Sequence, residues 1–226
     1  MISSGIKFNS FKFLPQSKKL KNRLINLLKN KNQVLNSLSD EYKLNFNKKK
    51  ILKYKKNKNF RIIGMGGSIL GTQAIYDFLN FKIKKKFYFI DNLKPRQNKE
   101  KKLYTNLIVS KSGNTIETIA NTNILIKKNE KNIFITEDKQ SYLNIFANKL
   151  KAEIIHHNNY IGGRYSVLSE VGMLPAELMG LNPNKFKQLN SLIKDKRFVK
   201  SLLSCVASSI FFIKNKKFNS IILNYD

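Results

Sequence analysis

The spacing of apolar residues along the 226-residue chain changes near residue 60. Before that point Leu20, Leu24, Leu27, Leu28, Val34, Leu35 and Leu38 recur at helical intervals among lysines and asparagines, which predicts an amphipathic helix or two. "KYKKNKN" (53–59) then reads as a solvated connector. From Phe60 onward the apolar runs are short, β-branched or aromatic, and bounded by Gly, Asn or Asp. They predict strands at 60–66, 86–91, 106–112, 131–138 and 152–157, with helical patterns at 68–79, 114–128 and 141–150 between them. Alternation at this spacing predicts an α/β fold, a doubly wound parallel sheet with flavodoxin-like layering behind an N-terminal helical segment. Such sheets bind ligands outside the carboxyl ends of their strands, so the loops after the strands are where chemistry is sought. Further on, "GGRYSVLSEVGMLPAELMG" (162–180) opens on a glycine pair and continues as a helix. Pro183 and Asn184 mark a break, a long helical pattern runs over 185–214, and "FNSIILNYD" reads as one more strand.

An apolar fraction of 42% is enough for a real core, and the length suits one large domain or one and a half ordinary ones. The single cysteine, Cys205, excludes a disulfide framework and a cysteine metal site, and it is expected to be a buried, inert thiol in an apolar helix. No stretch reaches the roughly 18–20 apolar residues that span a bilayer, and the first residues lack the apolar centre of a signal peptide. A soluble, cytoplasmic protein without a membrane partner is the expectation.

Two loops carry the candidate chemistry. "GMGGSILG" (64–71) approaches the nucleotide fingerprint G-x-G-x-x-G, but Ile69 stands where the last glycine belongs. Asp91, at the end of the next predicted strand, could still imitate that fingerprint's acidic ribose ligand. What remains is a tight turn at Gly66, Gly67 and Ser68, either a plain turn with Ser68 as helix N-cap or a nest of N–H groups facing an anion. "VSKSGNTIET" (109–118) gathers Ser110, Ser112 and Thr115 around Lys111, and Gly113 lets the backbone curl inward. An Asn114…Glu117 capping box would explain two of these residues but not the extra serines and the lysine. Uncharged hydroxyls, one lysine and a helix start suit a phosphate monoester. No Lys-Ser/Thr pair is placed to hold Mg²⁺ against a triphosphate, so a sugar phosphate fits better than a nucleotide.

"SKSGNTIET" resembles the sugar-phosphate loop of SIS (sugar isomerase) domains. Taken in order, "GMGGSILG", "VSKSGNTIET" and "GGRYSVLSEVGMLP" resemble the phosphoglucose isomerase family over roughly residues 58–226, and Arg164 after two glycines is the discriminating feature. Residues 1–57 carry no motif of the family and are read from their pattern as an N-terminal helical segment, a region the family usually has. The resemblance implies a first SIS domain (58–184) and the start of a second (185–226). It implies that Ser110, Lys111, Ser112, Gly113, Asn114 and Thr115 hold the substrate phosphate and that Gly67 and Ser68 touch the sugar phosphate. Arg164 would lie near C1–C2, where a guanidinium stabilises a cis-enediolate. The implied activity is interconversion of glucose 6-phosphate and fructose 6-phosphate, a step of glycolysis and gluconeogenesis, in a homodimer with no metal or organic cofactor. The rival reading is a non-catalytic, sugar-phosphate-binding SIS module of the regulator kind.

The family's general base lies in a Q-x-x-x-E-S-x-G-K segment, followed by a ring-opening histidine and a late lysine, and the 226 residues contain no such segment. Glu117 and Glu170 are the acids inside matched motifs, and neither matches the base. His156 and His157 are read as structural residues at a strand end. The chain is therefore expected to hold the binding half of a site, to stop before the catalytic base, and to be inactive by itself.

A formal charge of +29 raises nucleic acid as a partner. Only 5 of the 43 basic residues are arginine, the better bidentate reader of phosphate and guanine, and asparagine is present 29 times. Lys, Asn and Ile share A/T-rich codons, so base composition accounts for the charge without a nucleic-acid site. Duplex DNA is then expected to bind weakly, without sequence preference, and less as salt rises toward physiological strength. Nanomolar, sequence-selective binding at physiological salt, measured by fluorescence anisotropy, would overturn this reading.

Overall fold

The five apolar runs form five strands, all parallel: β1 (Asn59–Gly64), β2 (Lys86–Ile90), β3 (Thr105–Val109), β4 (Lys131–Thr136) and β5 (Glu153–His156). The computed structural model describes residues 18–30, 33–39, 41–93, 102–127, 129–189 and 193–216. Around the strands run α1 (Lys18–Lys29), α2 (Gln33–Ser37), α3 (Lys48–Leu52), α4 (Leu70–Leu79), α5 (Ile116–Leu125), α6 (Tyr142–Lys149), α7 (Glu170–Met179) and α8 (Lys196–Lys214). The chain divides into a unit of residues 36–187, which holds the sheet, and a unit of residues 1–35 and 188–226. Among the described residues no helix is long and apolar enough to cross a membrane.

Strand order is β2-β1-β3-β4-β5. The chain leaves β1 toward β2 on one side and then crosses to β3 on the other, so the topological switch point lies between β1 and β3. Side chains alternate across the sheet with the two-residue period of a strand. Phe60, Ile62, Leu107, Val109, Ile133 and Ile135 enter one core layer, with Ile75 of α4 and the residues of α7. Ile63, Ile108 and Phe134 enter the other, against Leu143 and Ala147 of α6 and Ile119 of α5. Helices cover both faces, so β3 is buried along its whole length and reads in sequence as an apolar run rather than an alternation. Phe46, Ile51 and Tyr54 join the first layer, so residues 36–57, assigned by sequence pattern to the N-terminal segment, share a core with the sheet.

Every residue of α7 is buried, although Pro175 stands inside it. Proline has no N–H to offer the carbonyl four residues earlier, which leaves Val171 O without its helical partner. Thr72 of α4 supplies the missing donor, its Oγ1 lying 3.1 Å from Val171 O. Gly180, at φ 88°, closes the helix in the left-handed conformation.

Two expectations are corrected here. The single helical pattern over 185–214 is a 3-10 segment, Pro183–Leu189, and a separate helix α8. Asp195 accepts from the N–H groups of Arg197 (2.8 Å) and Phe198 (3.3 Å), so the helix restarts there. Cys205 is half-buried, not buried, because Leu203, Ser204 and Ser208 occupy the inner stripe of α8 and Cys205 lies at its edge. The strand read in "FNSIILNYD" falls outside the described residues.

The Thr72 contact makes a testable claim. Thr72→Val keeps the shape but leaves Val171 O unsatisfied, and it is expected to cost about 1–3 kcal/mol in urea denaturation. Thr72→Ser keeps the hydroxyl and is expected to lose less. Equal losses would show that the hydroxyl is not what the interrupted helix requires.

Candidate functional site

The three motifs lie after the carboxyl ends of β1, β3 and β5, and β1 and β3 flank the switch point. After β1 the chain makes a 3-10 turn, Gly66–Ser68, before α4 begins. Ile69 takes the N-cap position of α4 and no side chain caps it, so Ser68 does not have the capping role open to it in the sequence. The Ser68 hydroxyl makes no hydrogen bond to any described residue.

After β3 the loop closes on itself. Ser110 is buried, 2% exposed, with its Oγ 2.9 Å from Thr115 Oγ1 and accepting from Gly113 N at 3.2 Å. Gly113 adopts φ 68°, and a Cβ there would overlap Ser141 Oγ, so the position requires glycine on two counts. Ser112 is exposed, accepts from Asn114 N at 3.2 Å and lies 3.5 Å from Thr115 Oγ1. The Asn114…Glu117 capping box does not form. Thr115 is the N-cap of α5 without a side-chain hydrogen bond to the helix, and Asn114 Oδ1 instead accepts from Tyr142 N at 2.9 Å, at the start of α6. Among the described residues no side chain accepts from the first N–H groups of α5, which lie beside the hydroxyls of Ser112 and Thr115. A helix start in this condition attracts an anion.

Lys111 does not extend freely. Its Nζ donates to Asn159 O at 2.6 Å and lies 3.4 Å from Glu137 Oε1. Burial pushes the Glu137 carboxyl up, but the hydrogen bonds and charges of Lys139 and then Lys111 outweigh it and hold the group below the usual carboxylate range. The lysine thus ties the β3 loop to the segment that follows β5.

That segment leads to Gly162 and a 3-10 helix, Gly163–Leu168, which carries Arg164. Arg164 is exposed and has no ion-pair partner among the described residues. The helix is held to the first loop at very short range. A Cβ on Gly67 would overlap the carbonyl of Gly163, and Ser166 Oγ lies 3.1 Å from Gly67 O and 2.7 Å from Gly163 O. Arg164 and Gly67 border an apolar groove of about 780 Å³ walled by Leu70, Ile75, Phe78 and Val167.

The structure therefore brings Gly67 and Gly163, next to Arg164, together and joins Lys111 to the same segment. Ser112, Thr115 and the start of α5 are open to a ligand. Ser110, Gly113 and the Asn114 side chain shape the loop from within. Sequence reading missed the support beneath Arg164. His157 and Glu170 are buried and face each other, and Tyr42 and Asn45 reach them from more than a hundred residues away. No local pattern signals such a partnership. Among the described residues, no group of three His, Cys, Asp or Glu side chains is placed to hold a metal ion.

Residues 25–204 match the phosphoglucose isomerase family. A glucose-6-phosphate isomerase of Methanocaldococcus jannaschii is 32% identical over 194 residues, covering 74% of this chain and 45% of that protein. One from Borrelia garinii subsp. bavariensis is 35% identical over 171 residues, 62% of this chain and 32% of its own length. The chain thus spans less than half the length of these relatives. Among solved structures, a hypothetical protein of Thermus thermophilus superposes with a TM-score of 0.63 at 22% identity, over 87% of this chain and 52% of that one. A glucose-6-phosphate isomerase from Chlamydia trachomatis superposes at 0.50 with 21% identity, over 76% and 38%. These two likenesses concern the fold alone. The family match takes in the sheet and all three loops, and the chain belongs to the phosphoglucose isomerase family.

Proposed function

We propose that this chain binds a six-carbon sugar phosphate at the switch point of its sheet and contributes to the interconversion of glucose 6-phosphate and fructose 6-phosphate. The observation that carries this reading is the open start of α5, flanked by Ser112 and Thr115 and reached across the sheet from the glycine turn after β1. In this reading the phosphate dianion accepts from the Ser112 and Thr115 hydroxyls and from the first N–H groups of α5. Ser68 offers a further hydroxyl from the β1 side. Lys111 contributes positive charge and holds the β5 loop at the same time.

Arg164 then faces the reacting carbons. When a base moves a proton between C1 and C2, negative charge develops on the enediolate oxygens, and a guanidinium placed there lowers the barrier. The proton itself needs a positioned base, and general-base catalysis typically contributes about 10²–10⁴-fold. Within this reading the base comes from the Q-x-x-x-E-S-x-G-K type of segment, and residues 1–226 bind the sugar without turning it over. The same reading makes the working protein a cytoplasmic homodimer that needs no metal or organic cofactor.

The test is binding of fructose 6-phosphate by calorimetry. Each hydrogen bond to a charged group is worth about 1.5–3 kcal/mol, so Ser112→Ala with Thr115→Ala is expected to weaken affinity at least about tenfold while the circular dichroism spectrum is unchanged. An unchanged affinity in the double variant would remove the phosphate from this loop.

A further inference from the structure

The segment that carries Arg164 is pinned at its base by buried groups to which the reading above gives no contact with the sugar phosphate. His157 follows β5 directly, and Glu170 is the first residue of α7, so the two lie on either side of the Gly162, Gly163, Arg164 stretch. His157 Nε2 lies 3.1 Å from Ile161 O, and Nδ1 lies 3.4 Å from Glu170 Oε2. Their relative exposures are 4% and 0%, so water does not share the contact. Glu170 Oε1 accepts from Tyr42 Oη and from Asn45 N, each at 2.9 Å. Tyr42 Oη in turn accepts from Asn158 Nδ2 at 2.8 Å, and Asn45 Nδ2 donates to His156 O at 3.2 Å. Both ends of the segment are thereby held to one another and to residues 42–45.

Proton roles follow from the partners. Ile161 O can only accept, and a Glu170 carboxylate can only accept. Burial pushes the Glu170 carboxyl up, but the hydrogen bonds from His157, from Asn45 N and from Tyr42 outweigh it and hold it below the usual carboxylate range. A neutral imidazole has one N–H and serves one of the two acceptors, whereas the imidazolium serves both. The clamp is complete with an N–H on each ring nitrogen and an ionised Glu170, and it fails from the acid side when Glu170 takes up a proton.

We propose that His157 and Glu170 are positioning residues, which hold the loop so that Arg164 meets a sugar whose phosphate sits on the β3 loop. This rests on the sugar-phosphate reading above. The surrounding titratable groups are few. Tyr42, its phenol pushed above the usual range by burial and then by Glu170, packs on one side, with Lys187 donating to its carbonyl. Tyr160 lies on the loop, His156 faces Asp138 at 3.7 Å, and Lys111 with Glu137 approaches from the β3 loop.

The experiment measures binding of fructose 6-phosphate and of inorganic phosphate by the whole chain at one fixed pH. Glu170→Ala is expected to weaken fructose 6-phosphate roughly tenfold, as loss of a hydrogen bond to a charged group does, and to leave inorganic phosphate unchanged. Combined with Arg164→Ala it should add nothing further, because the two act through one guanidinium. Glu170→Gln supplies the sharper test and keeps the fold. Its amide oxygen still accepts from Tyr42 and Asn45, while its N–H donates to Nδ1 of a neutral ring. Its fructose 6-phosphate affinity should therefore stay within about threefold of the parent chain's, where Glu170→Ala loses roughly tenfold. His156→Gln should leave both affinities at the parent's values. A Glu170→Gln loss as large as that of Glu170→Ala, or additive losses in the double variant, would overturn the positioning role while leaving the sugar site standing. If Glu170→Ala fails to fold, Tyr42→Phe, which removes one donor from Glu170, takes its place, and a loss shared equally by inorganic phosphate would overturn the role. Absence of fructose 6-phosphate binding in the parent, or no effect of Arg164→Ala, would overturn the functional reading and this inference together.

Discussion

The backbone of Gly67 lies directly against the carbonyl of Gly163, and the site depends on that contact. It joins the turn after β1 to the 3-10 helix after β5, elements that lie on opposite sides of β3 in the sheet. Any side chain at residue 67 would force the two apart, because the atom it meets is backbone and cannot rotate away. Ser166 fixes the contact further by lying within hydrogen-bonding distance of both glycine carbonyls. With that junction closed, Arg164 follows at a set height, and Lys111 can reach Asn159 O from the middle loop. Remove the junction and three motifs that match in sequence would no longer form one surface.

Holding loops this close requires a rigid base, and the molecule builds it from buried polar groups that are nearly all satisfied. At the carboxyl end of the sheet the work falls to His157, Glu170, Tyr42 and Asn45. Toward the amino end a second buried pair, Arg61 and Glu130, does the same at 3.1 Å. Arg61 also donates to Leu125 O at 2.8 Å and stacks on Tyr104. Glu130 accepts from Tyr104 N, Asn106 Nδ2 and Lys127 N. Such a pair adds little net stability because desolvation offsets the attraction, but losing one partner costs about 3–5 kcal/mol. Its effect is to fix register across β1, β3 and the approach to β4. The two ends of the sheet thus divide the work, one presenting ligand groups and the other locking strands.

The dense lysine content bears little on this arrangement. Lys53 and Lys50 lie near Glu153, and Lys139 near Glu137, as exposed partners whose pairs contribute little in water. Lys85, Lys111 and Lys187 are exceptions because each donates to a backbone carbonyl that holds a loop or segment in place. Charge count and function separate here, since position decides which lysines matter.

The sequence by itself determined the strands, the helices between them and the three loop motifs. Their signals are local: a run of four to six apolar residues, a helical period, a glycine beside hydroxyls. It also pointed to the carboxyl ends of the strands, because parallel crossovers leave the ligand crevice there. Tertiary structure decided which loop groups face outward. Ser110 and Ser112 are two residues apart and look alike in sequence, yet one is buried beneath Thr115 and the other is exposed. Asn114 reads as a helix cap and is claimed instead by the start of α6. Pro175 stands inside a helix and is tolerated because Thr72, far away in sequence, replaces the lost donor. Glu170 carries no local mark of its role, since its partners Tyr42 and Asn45 lie 128 and 125 residues away. Local spacing fixes which elements form, because backbone hydrogen bonding and side-chain period act within a few residues. The partner of a buried polar group is chosen only when distant elements meet and every donor left without water must find an acceptor.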